Sequence, residues 1–481
     1  MIIDYLCEQK LKFGNNIDAF DPRIGLLKGG PYNLPDHNSD DFRIINCGLI
    51  GSSLSIAKIK IFLEKISLGL KANEKTYGNY GFPGLGKSSP LRCSIKLLKE
   101  WEAKIWDDEL AKLVKIIDKN DCKDYLIEII GSNIKKLKNI DPPPEIILIS
   151  IPHEIIDLFQ REDVISDDIK FANRTKPSTV YESEGDIDFH SIVKILGMEN
   201  DITTQLIKPK TLDFQADEDE VSIAWNFIVS LYYKDKGIPW KFSEFDSNVC
   251  YVGISFYRDF SKLDVSLNTS MAQVFLSTGD SYILRGDSFK WDPLKNDMAP
   301  RLEKAHATSI INKVLEFYYN LKDNQYPTRL VIYKTSNFID EEINGFYDNC
   351  ANLKNIDLIT IQRDPKIRLY RQKKYPIMRG TVLFSDDRRY AILYTTGHIP
   401  FFKTYPGMRV PKPLEVRKFL GNSDMKVICE EILTLSRLDW NSIKFCQRLP
   451  VTISFPQKVG DILAERRASL IQIKAHYRYY M

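Results

Sequence analysis

No stretch of the 481 residues approaches the roughly 18–20 consecutive apolar residues that span a bilayer, so membrane insertion of this chain is not expected. The opening MIIDYLCEQKLKFG lacks the basic segment, apolar stretch and small-residue cleavage site of a signal peptide. Paired cysteines are missing as well. Cys7, Cys47, Cys93, Cys122, Cys250, Cys350, Cys429 and Cys446 are scattered without one CxxC, which argues against a zinc site or a disulfide framework. Free thiols in a reducing cytoplasm are expected instead. A strong charge imbalance is also lacking. At a formal net charge of +3 no global basic field exists, so any nucleic-acid binding needs a local patch. No internal repeat and no low-complexity segment is evident.

What is there is ordinary globular composition, with 43% hydrophobic and 27% charged residues. At roughly 150 residues per domain the length suggests two to four domains. KFGNNIDAFDPRIGLLKGGPYN is a succession of turns, FRIINCGLI is strand-like, and Ser55 to Leu68 has helical spacing. Ile95, Leu98, Trp101 and Ile105 also recur at helical intervals, which predicts a helix continuing through Leu113 and Ile116. Asp124 to Leu137 predicts another. EIILISIP, after Pro142–Pro144, fits a strand covered on both faces, and helix–strand–helix here suggests an α/β unit with a parallel sheet. Ser222 to Tyr233 reads as a helix that breaks at Gly237-Ile238-Pro239-Trp240. Beyond it strands dominate: CYVGISFY, AQVFLST, RLVIYKTS, DLITIQR, GTVLFSD and YAILYTTG, with helices at His306 to Lys322 and Lys426 to Leu435. The main boundary falls near residue 245.

Several of these stretches together resemble the short prokaryotic Argonautes. DPRIGLLKGGP is similar to that family's entry segment; HSIVK, DITTQLI and YYKDKGIPW are similar to its MID pocket and the exit into PIWI. YVGISFYRD and RLVIYKTS resemble PIWI strands, GTVLFSDDRRYAILYTTG with TYPGMRVPKPLEV the late PIWI strands, and LDWNSIKFCQRLPVTISFPQKVGDIL the last PIWI helix. The resemblance runs almost end to end. It implies an α/β architecture, with a Rossmann-like MID domain after an N-terminal segment in 1–245 and an RNase H-like PIWI domain in 246–481.

A pocket for a 5′-monophosphate needs several donors converging on a dianion. His190 and Lys194 are four apart and share a helix face. Gln205 follows a short turn, and Lys234 lies on the next helix. Alone, each has a plainer reading, as a solvated lysine or a surface histidine. The resemblance assigns His190, Lys194, Gln205 and Lys234 to the guide 5′-phosphate pocket, with His190 where Tyr is commoner and Lys208 and Lys236 nearby. It also implies a Mg²⁺ ion at the guide end, contacted by Gln205 and the terminal carboxylate of Met481.

Slicing members of the family hold two Mg²⁺ ions with three or four acids. The resemblance places those positions at Ser255, at Thr335 or Ser336, and at Gln457, all neutral. GISF is not a GxSxG nucleophile elbow. A chain that grips a duplex without cutting it is therefore expected. A rearranged nuclease centre using Asp259, Asp264 and Asp340 is the competing expectation, and a module that only sequesters nucleic acid is another.

QRDPKIRLYRQKKYP carries Arg363, Lys366, Arg368, Arg371, Lys373 and Lys374 against one acid, Asp364, with Tyr370 and Tyr375 interleaved. Such runs are usually solvated loops. Within this resemblance the segment is expected to contact guide or target phosphates, with Arg388, Arg389, Lys403 and Arg409 extending the track. The family further implies a small guide RNA, a complementary invader DNA and a partner protein. That partner would have an Argonaute-binding region fused to a TIR, sirtuin-like or nuclease effector, whose release, by NAD depletion for example, would cause abortive infection.

Overall fold

The computed structural model describes residues 1–34, 42–72, 80–116, 118–155, 189–215, 218–243, 248–258, 267–276, 279–290, 300–348, 350, 353–402, 405, 410–465, 468 and 471–481. Two sheets organise them. The first joins β4 (Arg43–Gly51), β5 (Cys93–Lys96), β6 (Glu102–Lys104), β7 (Ile146–Ser150) and β8 (Thr203–Leu206) in the order β5-β4-β7-β8, with β6 also on β4 and every pair parallel.

The sequence of β7 explains this architecture. All five residues are apolar or small and buried, so both faces need cover. Ile146 and Leu148 enter a core shared with α2 (Ser53–Ser67), while Ile147 and Ile149 enter a second core with α4 (Lys119–Lys138) and α5 (Phe189–Glu199). The remaining helices of this half are α1 (Pro22–Gly29), α3 (Asp107–Lys115), the short α6 (Pro209–Leu212) and α7 (Glu220–Lys234). Asp219 starts α7 by accepting a hydrogen bond from the Ser222 amide at 3.1 Å.

The helix expected over residues 95–116 is a correction. Ile95 lies in β5, Trp101 ends a 3₁₀ turn, Ala103 lies in β6, and only Asp107–Lys115 is helical. Pairing of these short segments with β4 buries the same apolar residues that helical spacing would have lined up.

The second sheet has nine strands. β10 (Val249–Arg258), β13 (Arg329–Lys334) and β14 (Asn355–Gln362) are parallel at its centre. β11 (Leu267–Phe275) and β12 (Ser281–Lys290) follow on one side; β17 (Leu414–Leu420), β16 (Tyr390–Leu393), β15 (Thr381–Phe384) and β1 (Ile2–Tyr5) follow on the other. β1 pairs antiparallel with β15, Ile2 opposite Phe384. Residues 2–5, grouped by sequence with the first half, thus belong to the sheet of the second half. A small sheet of β2 (Leu11–Lys12), β3 (Asp18–Ala19) and β9 (Lys241–Phe242) lies outside both.

On the second sheet, Val252 and Ile254 enter a core with Ile310, Ile311 and Val314 of α8 (Lys304–Leu321). The alternate residues of β10 face α11 (Val451–Ala464), with α9 (Asp340–Tyr347) and α10 (Met425–Leu435) completing the layers. Pro456 lies inside α11 and cannot donate to the Thr452 carbonyl one turn earlier. That carbonyl lies against Gly253, where an added Cβ would come within 2.0 Å of it. Gly253→Ala is expected to destabilise the protein by about 1–3 kcal/mol, visible as a lower thermal midpoint, because strand and helix must separate to admit one methyl. No helix among the described residues is long and apolar enough to cross a membrane.

Candidate nucleic-acid interface

The geometry of the first half converges on one backbone atom, the Thr204 carbonyl of β8. Lys194 of α5 donates its ammonium to it at 2.6 Å, and Lys234, the last residue of α7, donates to it at 3.1 Å. Lys234 also donates to Gln205 Oε1, which accepts from the Ser230 hydroxyl at 3.5 Å. Both lysines are buried, at 1% and 3% exposure, and neither forms an ion pair among the described residues. Burial pushes the Lys194 ammonium down to about 8, opposed by hydrogen bonding with Lys234. Burial, and then the charge of Lys194, hold Lys234 well below the ordinary lysine value. Two desolvated cations sharing one carbonyl form a site whose charge no carboxylate among the described residues balances, and a dianion would supply what it lacks.

His190 lies one turn before Lys194 on α5 with its ring exposed. Lys208 and Lys236 are exposed as well. The structure thus brings Lys194, Gln205 and Lys234 together and leaves His190 outside the buried cluster. Sequence reasoning missed the Thr204 carbonyl, because a main-chain acceptor has no side-chain signature.

The C-terminal tail folds against this site. Its 3₁₀ turn, Tyr477–Tyr479, packs on α5, α7, β8 and β12; the Tyr479 hydroxyl donates to Asp201 at 2.7 Å and Lys474 pairs with the same carboxylate at 2.9 Å. Met481 is buried at its end. A divalent cation on Gln205 does not fit this donor set. Gln205 Oε1 is engaged by an ammonium, and no group of three or more His, Cys, Asp or Glu among the described residues could hold a metal. The site suits an anion.

On the second sheet, β10 and β13 run parallel with Gly253 opposite Tyr333. Two residues further on, Ser255 lies inside β10, which continues to Arg258, while Thr335 and Ser336 directly follow the end of β13. α11 covers Ser255: a Cβ on Gly460 would lie 3.8 Å from its hydroxyl. Gln457 lies one turn earlier on α11 and accepts a hydrogen bond from Arg363, the residue after β14. Ser255 and Gln457 thus both lie along α11, Thr335 follows the neighbouring strand β13, and a cation joins Gln457. Asp340 is exposed at the start of α9; Asp259 and Asp264 lie outside the described residues.

The basic segment divides. Lys366, Arg368, Lys373 and Lys374 are exposed, Arg371 is half-buried, and Tyr370 is 77% exposed between them. Tyr375 instead stacks on His398, with ring centroids 4.5 Å apart. Arg363, grouped by sequence with the exposed run, is set apart from it by its bond to Gln457. Arg388 is half-buried, Arg389 is exposed, and Lys403 and Arg409 lie outside the described residues.

A Piwi-domain profile matches residues 180–467. The chain belongs to the Piwi-domain family. No curated protein matches it in sequence. Among solved structures, this Piwi-domain protein is similar to Clostridium butyricum Argonaute bound to a guide DNA and a 19-mer target DNA, at a TM-score of 0.63 and 16% identity, covering 96% of this chain and 53% of that one. It is similar to Marinitoga piezophila Argonaute in complex with a 5′ OH guide RNA, at 0.58 and 13%, covering 97% and 59%. It is also similar to Drosophila Piwi, at 0.60 and 13%, covering 100% and 56%. The Piwi-domain chain thus spans little more than half the length of these proteins. What it shares with them is the α/β fold: a MID unit followed by an RNase H-like PIWI unit.

Proposed function

We propose that this chain is a guide-dependent nucleic-acid-binding protein of the short Argonaute kind. It holds a 5′-phosphorylated small guide, RNA by preference, through Lys194, Lys234 and Gln205, with His190 at the pocket mouth. It then grips the guide–target duplex with Lys366, Arg368, Arg371, Lys373 and Lys374. The observation that carries this reading is the convergence on the Thr204 carbonyl of two buried ammonium groups that no carboxylate among the described residues neutralises. A desolvated cation pair is costly in an empty protein and is stabilised when a phosphate arrives.

In this reading the chain does not cut. Ser255, Thr335 and Gln457 cannot neutralise two divalent ions, and the Arg363 guanidinium beside Gln457 repels them further. Base pairing supplies sequence recognition while the protein reads backbone and shape. Complementary invader DNA would then favour, through differential contacts, the active state of a partner protein with an Argonaute-binding region and a TIR, sirtuin-like or nuclease effector. NAD depletion and abortive infection of the host cell follow where the effector consumes NAD.

The test is direct. Purified protein is expected to bind 5′-phosphorylated guides, retain complementary target and leave it intact in Mg²⁺ or Mn²⁺. Ser255→Asp is expected to change nothing, because two further ligands stay neutral. Clean cleavage at one phosphodiester by the natural protein would establish a nuclease instead. Purification from the host is expected to bring down a stoichiometric effector protein; nucleic acid alone would mark a sequestering module.

A further inference from the structure

Among the described residues the Arg363 side chain is held but not neutralised. Its Nη2 donates to Gln457, an uncharged partner, and its Nε is buried without a hydrogen-bond partner among the described residues. Three other arginines of this unit are compensated. Arg329 pairs with Asp357 and Glu431, Arg379 with Glu8, and Arg417 with Glu415. The nearest acid in sequence, Asp364, faces Arg448 at 3.4 Å and Lys412 at 3.9 Å.

Arg448 adds to the local excess. It donates to the Arg363 carbonyl and, at 3.1 Å, to the Pro413 carbonyl, so it fixes the backbone that carries Arg363. Burial lowers the pKa of its guanidinium. Asp364 opposes that shift, and the charges of Arg363 and Arg368 reinforce it. Three arginines against one shared carboxylate leave a net positive field at the ends of β13 and β14.

The placement is specific. Arg363 follows β14, Gln457 lies on α11, and β13 lies between β14 and β10 in the sheet. From the end of β14 the Arg363 side chain reaches α11, the helix that also covers Ser255 of β10. A guanidinium offers five N–H donors in a planar fork that matches a phosphodiester's oxygens, and the Gln457 carbonyl uses only part of it.

We propose that Arg363, oriented by Gln457 and backed by Arg448, is a phosphodiester-binding site at the ends of β13 and β14 that docks one backbone phosphate of the target strand. The proposal rests on the guide–target reading above. Gln457 is a positioning residue: it holds the fork with a neutral carbonyl so that the charge stays free for the ligand. The unit thereby fastens a strand with a fixed cation where metal ions would require carboxylates.

The experiment measures affinity of guide-loaded protein for a complementary DNA target. It uses the natural protein, Arg363→Ala and Gln457→Glu, across salt concentrations and with single methylphosphonate linkages scanned through each strand. Both variants are expected to bind target about tenfold more weakly. Their salt slopes are expected to fall by about one. One target linkage should be sensitive to methylphosphonate in the natural protein and insensitive in Arg363→Ala. Gln457→Glu separates the proposal from a structural role. A carboxylate strengthens the bond to Arg363, so it would preserve or raise stability while cancelling the charge. Unchanged target affinity in Gln457→Glu, or a sensitive linkage lying only in the guide, would overturn the assignment. Natural protein that binds no target at all would instead defeat the underlying guide–target reading.

Discussion

Lys194→Met is expected to make the ligand-free protein more stable while removing most of its preference for a 5′-phosphorylated strand. In the empty protein the Lys194 ammonium is fully buried, shares the Thr204 carbonyl with Lys234 and meets no carboxylate among the described residues. Methionine matches the length of the stem and carries no charge to desolvate. The Thr204 carbonyl keeps its hydrogen bond from Lys234, so no buried acceptor is orphaned. Exchange of a buried ionic group for an apolar one of similar volume is neutral to stabilising by about 1–4 kcal/mol. The thermal midpoint without ligand should therefore rise by a few degrees.

Binding moves the other way. A charge-assisted hydrogen bond to phosphate contributes about 1.5–3 kcal/mol, so affinity for a 5′-phosphorylated guide should drop roughly 10- to 100-fold. The 5′-hydroxyl guide should lose little. Titration of both guides and a ligand-free melt check the two halves together. Equal losses for both guides would show that these lysines hold the fold and not a phosphate. Lys234→Met should lose the same discrimination with a smaller gain in stability, because it also leaves Gln205 Oε1 with only the long bond from Ser230 among the described residues.

The sheets were legible where composition permits one structure only. β7 and β13 to β16 are short, apolar and bounded by turn residues, and the sequence places them to within a few residues. Ile95 to Ile116 was misread because helical spacing and burial in successive short strands make the same demand on residue type. β1 gave no signal of its own: Ile2 and Ile3 are half exposed or more, and only pairing with β15 makes them a strand. The same contrast runs through the site. Lys194, Gln205 and Lys234 could be singled out because a resemblance supplies their register. The Arg363–Gln457 bond joins residues 94 positions apart and depends on how α11 lies across β10, which Gly253 and Pro456 permit. Charge in the segment 363–374 was plain, but which cation leaves the run for the sheet end was not.

Affinity for a 5′-phosphorylated guide is expected to be highest between about pH 6 and 8 and to fall steeply above, while affinity for a 5′-hydroxyl guide stays nearly flat. Below about pH 6 the phosphate itself takes up its second proton and loses charge. Above, the lysines decide. In the empty site Lys194 titrates at about 8, and burial together with the charge of Lys194 holds Lys234 well below the ordinary lysine value. A bound dianion raises both, so the complex holds protons that the empty protein has released. Binding then consumes a proton for each deprotonated lysine, and affinity falls by up to tenfold per pH unit for each. The slope steepens as pH passes about 8, where Lys194 in the empty site gives up its proton. The stability of the empty protein has the opposite sign. Folded pKa values depressed below the ordinary lysine value of 10.5 mean that the unfolded chain binds more protons between about 8 and 10.5, so this pair destabilises the fold less as pH rises through that window. Lys194→Met should remove the steepening at about 8. A ratio of 5′-phosphate to 5′-hydroxyl affinity that does not change between pH 7 and 9.5 would show that no buried ammonium contacts the guide, because a charge that desolvation has made labile cannot stay constant across its own titration.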